Sequence, residues 1–266
     1  MITSTANAKV KRLVSLGRKS KARYEEGVFL VEGVKMFQEA PAEWIREVYV
    51  SESFLEKNEF NNKKQVYFEM VSDEVFRKIS DTQTPQGVLC VMKMPEYRLE
   101  NLLEQTKKHA LFLVLEDLQD PGNLGTILRA GEGAGVDGVI ITKNTVDIFN
   151  PKVIRSTMGS IYRVPFVITD DILKAVTDLK AGGVTVYAAH LDESKNYDLQ
   201  DYTKPTAFLI GNEANGLKRE TADMADHYIK IPMSGQVESL NAAVASSILM
   251  YEAARQRRIE KGDTKR

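Results

Sequence analysis

The residues best suited to chemistry lie in DPGNLGTILRAGEGAG (120–135), between the apolar runs ALFLVLEDL (110–118) and VDGVIIT (136–142). Strand, glycine-rich turn, helix and strand is the order in which many nucleotide-binding units begin. A dinucleotide fingerprint requires G-x-G-x-x-G and an acidic residue about 20 positions on. Here Gly131 and Gly133 are followed by Gly135, so the third glycine comes one place early. These glycines fall at the end of a predicted helix and read as its C-terminal caps. A phosphate loop needs Gly-Lys-Ser or Gly-Lys-Thr, and the chain has neither. Both nucleotide readings therefore fail on spacing. What remains is a turn in which Asp120 or Asn123 can cap the helix. Leu124, Ile127 and Leu128 recur at helical spacing and should face the core, which points Arg129 partly away from them. A permanently charged guanidinium there needs water, a carboxylate or a phosphate.

Two further segments carry suitable residues. In AFLIGNEANGL (207–217) a buried strand runs into Gly211, where the backbone can approach a ligand closely. Glu213, just past the strand end, is placed for a ribose hydroxyl or a positive group; an ordinary turn is the alternative. In IKIPMSGQVESLNAAVASSILMYEAAR (229–255), Pro232 ends a strand, Gly235 turns the loop, and Ser239 reads as the N-cap of a helix whose first residues include Asn241. The small residues Ala242, Ala243, Ala245, Ser246 and Ser247 let that helix pack closely on another backbone.

The elements around these turns follow from pattern. Residues 1–95 read as a small mixed domain, with strands in VFLVEG (28–33), IREVYV (45–50), VYFEM (66–70) and GVLCVMKM (87–94). Helices are expected over 34–40 and 71–80, the second capped by Ser72. The polar stretch 96–109 reads as a linker. From 110 to 266 strands (111–116, 138–142, 163–168, 184–189, 206–210, 227–231) alternate with helices (123–134, 151–160, 170–181, 239–258). That alternation implies an α/β domain with a mostly parallel sheet. RQRRIEKGDTKR (255–266) should be a frayed helix end.

Composition sets the class. The chain has 266 residues, 43% hydrophobic and 27% charged, enough for a core of ordinary size. A single cysteine, Cys90, excludes an internal disulfide and points to a reducing compartment. No apolar run approaches a membrane span, and MITSTANAKVKR at the start has no secretory h-region. A cytoplasmic address without membrane contact is expected. His109, His190 and His227 are far apart in sequence, so no metal site is expected. His190 follows the strand VTVYAA (184–189) and is either a pocket-rim residue or an ordinary loop histidine. The net charge is −1, yet residues 1–24 carry Lys9, Lys11, Arg12, Arg18, Lys19, Lys21 and Arg23 and no acid. Such a run is an electrostatic footprint for nucleic-acid phosphates, or a solvated basic helix face.

In order along the chain, the three segments resemble the motifs of the SpoU (TrmH-like) family of RNA ribose methyltransferases, within the SPOUT superfamily. N-x-G-x-x-x-R stands as Asn123 to Arg129. G-x-E-x-x-G-L stands as Gly211 to Leu217, with Asn212 and Ala214-Asn215 where members often carry smaller residues. I-P-M-x-G-x-x-x-S-L-N stands as Ile231 to Asn241. The N-terminal part looks like the ribosomal-protein-like, RNA-binding domain of many members, mainly through FLVEG (29–33), GVLCV (87–91) and the basic start. The resemblance implies a trefoil-knotted catalytic domain, a homodimer, and bent S-adenosylmethionine (SAM) held in the knot. It implies 2′-O-ribose methylation, of large ribosomal RNA (23S-type) first and transfer RNA second. A non-catalytic RNA-binding or ribosome-assembly factor with the same fold is the rival, as is, more remotely, a nicotinamide-dependent oxidoreductase.

The same resemblance implies the roles. Arg129 is central, as general base or as an anchor for phosphate and incipient alkoxide. Asn123 orients Arg129 or the RNA across the dimer. Ser239 and Asn241 line the pocket, and Glu213 lies near cofactor or RNA ribose. Backbone around Gly211, Ile231, Met233 and Leu240 cradles the cofactor. Lys9, Lys11, Arg12, Arg18, Lys19 and Arg23 would contact RNA.

Overall fold

In the computed structural model of the chain, residues 1–57, 60, 66–104, 108–190, 194–237, 239–260 and 262 are described. The elements run α1 (Ala8–Arg18), α2 (Ser20–Glu26), β1 (Val28–Glu32), α3 (Val34–Glu39), β2 (Ile45–Ser51), α4 (Glu52–Lys57), β3 (Glu69–Val71), α5 (Asp73–Ile79) and β4 (Val88–Lys93). They continue through α6 (Leu99–Glu104), β5 (Leu111–Leu115), α7 (Pro121–Ala134), β6 (Gly138–Thr142), α8 (Pro151–Thr157), β7 (Phe166–Thr169) and α9 (Ile172–Ala181). Last come β8 (Thr185–Ala189), β9 (Lys195–Asn196), β10 (Thr206–Ile210), α10 (Arg219–Ala222), β11 (His227–Lys230) and α11 (Ala242–Glu260). No helix among the described residues is long and apolar enough to cross a membrane.

Two compact units result: residues 1–95 with 147–162, and residues 96–146 with 163–266. The expected linker is partly structured, since α6 lies in it; residues 105–107 fall outside the described set. Residues 147–162, expected in the C-terminal domain, pack in the first unit.

The first unit holds a four-stranded sheet in the order β1-β4-β2-β3, antiparallel except for the β2–β3 pair. Cys90 is buried in β4, as its apolar setting suggests. Ser72 caps α5 by accepting from the Val75 amide at 3.3 Å. Residues 66–68 of the expected third strand form no regular element.

The basic start is not one uniform cationic face. Arg23 is buried, ion-paired with Asp147, and donates to the Leu16 carbonyl at 2.6 Å. Its assignment to RNA is therefore corrected: a guanidinium enclosed by its own unit cannot also hold a phosphate. Arg12 is held by Glu26 at 2.7 Å and Glu47 at 2.8 Å, and Lys9 by Glu69 at 2.5 Å. Lys11, Arg18 and Lys19 are exposed and make no described ion pair.

The second unit holds a seven-stranded sheet in the order β7-β6-β5-β10-β8-β11-β9, and every pairing is parallel. Leu111–Leu115 are buried throughout, as a central strand covered on both faces requires. Chain order reverses between β5 and β10, where β5 has β6 on one side and β10 on the other. In open parallel sheets, ligands sit at the carboxyl ends of strands beside such a reversal. α7 packs against α11. Gly131 and Gly133 lie inside α7, not at its end, and only Gly135 (φ 78°) is the cap. A side chain at Gly133 would meet the Tyr251 hydroxyl at 2.6 Å, whereas one at Gly131 would make only ordinary contact with Val136 and Met250. Gly133 thus serves helix packing, which corrects its capping assignment.

Arg23→Ala should lower stability by about 3–5 kcal/mol, because Asp147 is left without its partner. Urea unfolding checks this; Lys11→Ala should change it by less than about 0.5 kcal/mol.

Candidate active site

Three strand ends of the second unit frame one cavity of about 450 Å³. Its lining includes Ala189 and His190 at the end of β8, Ile210 and Gly211 at the end of β10, and Ile229, Lys230 and Ile231 at the end of β11. Met233, Ser239 and Leu240 close one side, and Ala242, Ala245 and Leu249 of α11 another. The volume and the mostly aliphatic wall suit a small organic ligand. Of the residues singled out in the sequence, Gly211, Glu213, Ile231, Met233, Ser239 and Leu240 all border it. His190 does so too, its ring stacked on Tyr228 with centroids 5.2 Å apart.

Residues 211–217 form a turn closed on itself. The Asn212 amide donates to the Gly216 carbonyl at 3.0 Å, and Gly216 returns a bond at 2.9 Å. The Asn212 side-chain oxygen accepts from the amides of Ala214 at 2.9 Å and Asn215 at 3.1 Å. Gly216 takes φ 68°. A Cβ on Gly211 would overlap the Gly216–Leu217 peptide. The close approach that requires this glycine is thus made by the loop's own backbone. Asn212, a departure from the usual motif, is the residue that closes the turn.

Glu213 joins this turn to the segment entering α7. Its carboxylate accepts from the Gln119 amide at 3.1 Å, the Asp120 amide at 3.1 Å and the Asn123 side-chain amide at 2.9 Å. Burial alone raises its pKa, but these bonds outweigh burial and hold the carboxyl below its usual range. Asp120 is the N-cap of α7, accepting from the Asn123 amide at 2.7 Å. Asn123 in turn accepts from the Asn241 side-chain amide at 2.9 Å. The Asn241 side-chain oxygen caps α11 through the amides of Ala243 at 2.9 Å and Val244 at 3.3 Å. The expected Ser239 cap is corrected: α11 begins at Ala242, and Asn241 immediately before it takes the free amides. Ser239 stays exposed at the cavity. Three turns distant in sequence are therefore stitched by Glu213, Asn123 and Asn241.

Arg129 stands apart. It is exposed on α7, does not line the cavity of its own chain, and makes no described hydrogen bond or ion pair. Two residues went unremarked in the sequence. Glu116 is buried and accepts from the Lys218 amide at 2.9 Å and the Thr221 hydroxyl at 2.7 Å. Asp117 has φ 55°, and its carboxylate pairs with the Lys218 ammonium at 2.8 Å. An acidic pair directly after a buried strand was the available signal. No group of three or more possible metal-ligating His, Cys, Asp or Glu occurs among the described residues.

Two family models match the chain. Residues 110–251 match the model of the SpoU rRNA Methylase family, and residues 7–90 match an MRM3-like substrate binding domain. The chain is 34% identical over 252 residues to the Bacillus subtilis 23S rRNA (guanosine(2553)-2′-O)-methyltransferase RlmP, covering 94% of this chain and 97% of that one. It is 34% identical over 262 residues to an uncharacterized tRNA/rRNA methyltransferase of Synechocystis, covering 96% and 93%. The structure resembles the AdoMet-bound rRNA methyltransferase of Sinorhizobium meliloti, with TM-score 0.83, 31% identity and coverage of 96% and 97%.

Gly211→Ala should open the 211–217 turn and weaken SAM binding more than about tenfold, since the added carbon overlaps backbone. Isothermal titration measures the affinity, and an unchanged far-UV circular dichroism spectrum separates this from unfolding.

Proposed function

Since the chain belongs to the SpoU rRNA methylase family and is a SAM-dependent RNA methyltransferase, we propose that it methylates the 2′-hydroxyl of a ribose in large ribosomal RNA. The observation that carries this reading is the cavity bordered by Gly211, Glu213, Ile231, Met233 and Leu240 and stitched to Asn123. The named substrate of the Bacillus relative supports the choice of 23S-type RNA. The tRNA/rRNA name of the Synechocystis relative keeps transfer RNA as the second reading.

The residues present fit the cofactor. Aliphatic side chains of Ile210, Ile229, Ile231, Leu240 and Leu249 offer an apolar seat for a purine, and the ionised Glu213 suits a ligand with cationic groups. When bound, SAM supplies an electrophilic methyl group on a sulfonium with a good leaving group. The chain's task is to orient the ribose oxygen and stabilise the negative charge that grows on it. A guanidinium keeps its proton at neutral pH, so we assign Arg129 as an anchor for the adjacent phosphate and the incipient alkoxide rather than as the base, with the 2′-hydroxyl proton passing to solvent water. Its position outside its own chain's cavity favours action in a homodimer, on RNA seated at a partner's cavity. Ser239 would hydrogen-bond the ribose from the cavity side, whereas Asn241, expected to line the pocket, is outside the cavity lining and holds Asn123 and the start of α11.

RNA capture falls to the first unit, the part that matches the substrate binding domain. Lys11, Arg18 and Lys19 are the cations of the basic start free to meet phosphates, with Lys9 and Arg12 already bridged to acids. We further assign the trefoil knot of the family fold to residues 110–266 and place the enzyme in the cytoplasm.

The test is transfer of labelled methyl from SAM to ribosomal and transfer RNA by purified protein, with 2′-O-methyl sites mapped in RNA from cells with and without the gene. A new 2′-O-methyl in large-subunit RNA is expected; a base-methyl product or no transfer overturns the reading. Arg129→Ala should lower turnover at least about 100-fold while SAM affinity stays within about twofold, and Arg129→Lys should not restore it.

A further inference from the structure

Residues 116–117, at the carboxyl end of β5, hold both ends of the cavity-wall turn 211–217. At its entry, the Asn212 side-chain amide donates to the Asp117 carbonyl at 2.7 Å. At its exit, the Lys218 amide donates to the Glu116 carboxylate at 2.9 Å, and the Lys218 ammonium reaches the Asp117 carboxylate at 2.8 Å. Glu116 is 1% exposed; besides the Lys218 amide it faces the Lys218 ammonium at 3.6 Å. The Lys218 side chain is 52% exposed, so its bond is the one that can open.

Asp117 is itself held from a third direction. Its left-handed backbone is uncommon for a residue other than glycine, although Asp tolerates it better than most. The Thr142 hydroxyl, at the end of β6, donates to the Asp117 carboxylate at 2.8 Å, and the Asp117 amide donates to the same hydroxyl oxygen at 2.9 Å. The Gln119 side-chain amide donates to the Asp117 carbonyl at 2.9 Å and to the Asn144 carbonyl at 2.8 Å. Asp117 thus turns β5 toward Gln119 and Asp120, whose amides bind Glu213 in the middle of the same cavity-wall turn.

We propose that Asp117 and Lys218 form a latch that positions the 211–217 turn for cofactor binding and links it to the segment leading to Asn123 and Arg129. Neither residue lines the cavity, so both act through others: Lys218 through the adjacent Leu217, and Asp117 through Asn212 and Gln119. The latch rests on the reading that this cavity holds SAM. With the latch open, Asn212 and Glu213 still hold the turn, which then samples positions that narrow the cavity. Cofactor affinity suffers while the chemistry, once SAM is bound, does not. The pairing also holds the Asp117 carboxyl low: burial raises it, but Lys218 and Thr142 outweigh burial. The latch is therefore closed at neutral pH and opens as pH falls through the lowered Asp117 pKa or rises through the Lys218 pKa, which Asp117 and Glu116 raise.

The test has two readouts on the full-length protein. The first is hydrogen exchange of the 212–217 amides without ligand. Lys218→Met should speed it about fivefold or more, Asp117→Asn should speed it by no more than that because the ammonium keeps Glu116 at 3.6 Å, and the double variant should not exceed Lys218→Met, as a shared interaction requires. Lys218→Arg should restore slow exchange. Unchanged exchange in Lys218→Met, or additive effects in the double variant, overturns the latch. The second readout is methyl transfer: the latch predicts a rise of about fivefold in the KM for SAM in Lys218→Met, with kcat within about twofold at saturating SAM. A fall in kcat with unchanged KM overturns the cofactor-positioning role. If wild-type protein binds no SAM, the functional reading fails, and hydrogen exchange still decides whether the latch exists.

Discussion

Glu213 accepts two backbone amides and one side-chain amide from the segment that enters α7, and the rest of the site depends on that carboxylate. Without it, the Gln119 and Asp120 amides would lose their acceptor, and the turn after β10 would be tied to the end of β5 only through Asn212 and Lys218. Asn123 passes the connection on to Asn241, which also caps α11. One chain of hydrogen bonds therefore fixes the helix that carries Arg129, the turn that walls the cavity and the helix that backs it. The bonds also explain the ionisation of Glu213. Partial burial disfavours charge, and three donors restore it.

The scaffold beneath supplies the placement. A parallel sheet brings all its carboxyl ends to one edge, and the reversal of chain order between β5 and β10 leaves a gap in the helical cover there. The cavity opens where β8, β10 and β11 end, beside β5. Close packing of α11 on α7 at Gly133, where Tyr251 approaches, holds the backing helix in place. The first unit is built differently, on a mainly antiparallel sheet with charged helices. There the basic residues are divided between internal ion pairs and a smaller free set.

Strand runs and helical spacing were legible because burial imposes them. Gly138–Thr142 and Thr206–Ile210 have the bounds their apolar runs suggest. The cavity residues were legible as members of motifs, since the ends of parallel strands cannot be placed side by side from periodicity alone. Partnership was not legible. Arg23 looks like its neighbours Lys19 and Lys21, and only the fold shows that Asp147, far along the chain, encloses it. Ser239 and Asn241 are equally good caps by residue type; where the loop ends decides between them. Asp117 and Lys218 are a hundred residues apart, and each alone reads as a surface charge.

The most direct test of the account is the SAM affinity of Glu213→Gln, measured by titration calorimetry on the ligand-free protein. Glutamine keeps the size but halves the acceptor oxygens and adds a donor that faces either the Gln119 amide or the Asp120 and Asn123 amides. The account predicts at least about a tenfold loss of affinity, as loss of charged hydrogen bonds implies. Unchanged affinity, with only RNA methylation lost, would show that Glu213 acts on the RNA and that the stitched turns do not depend on its charge.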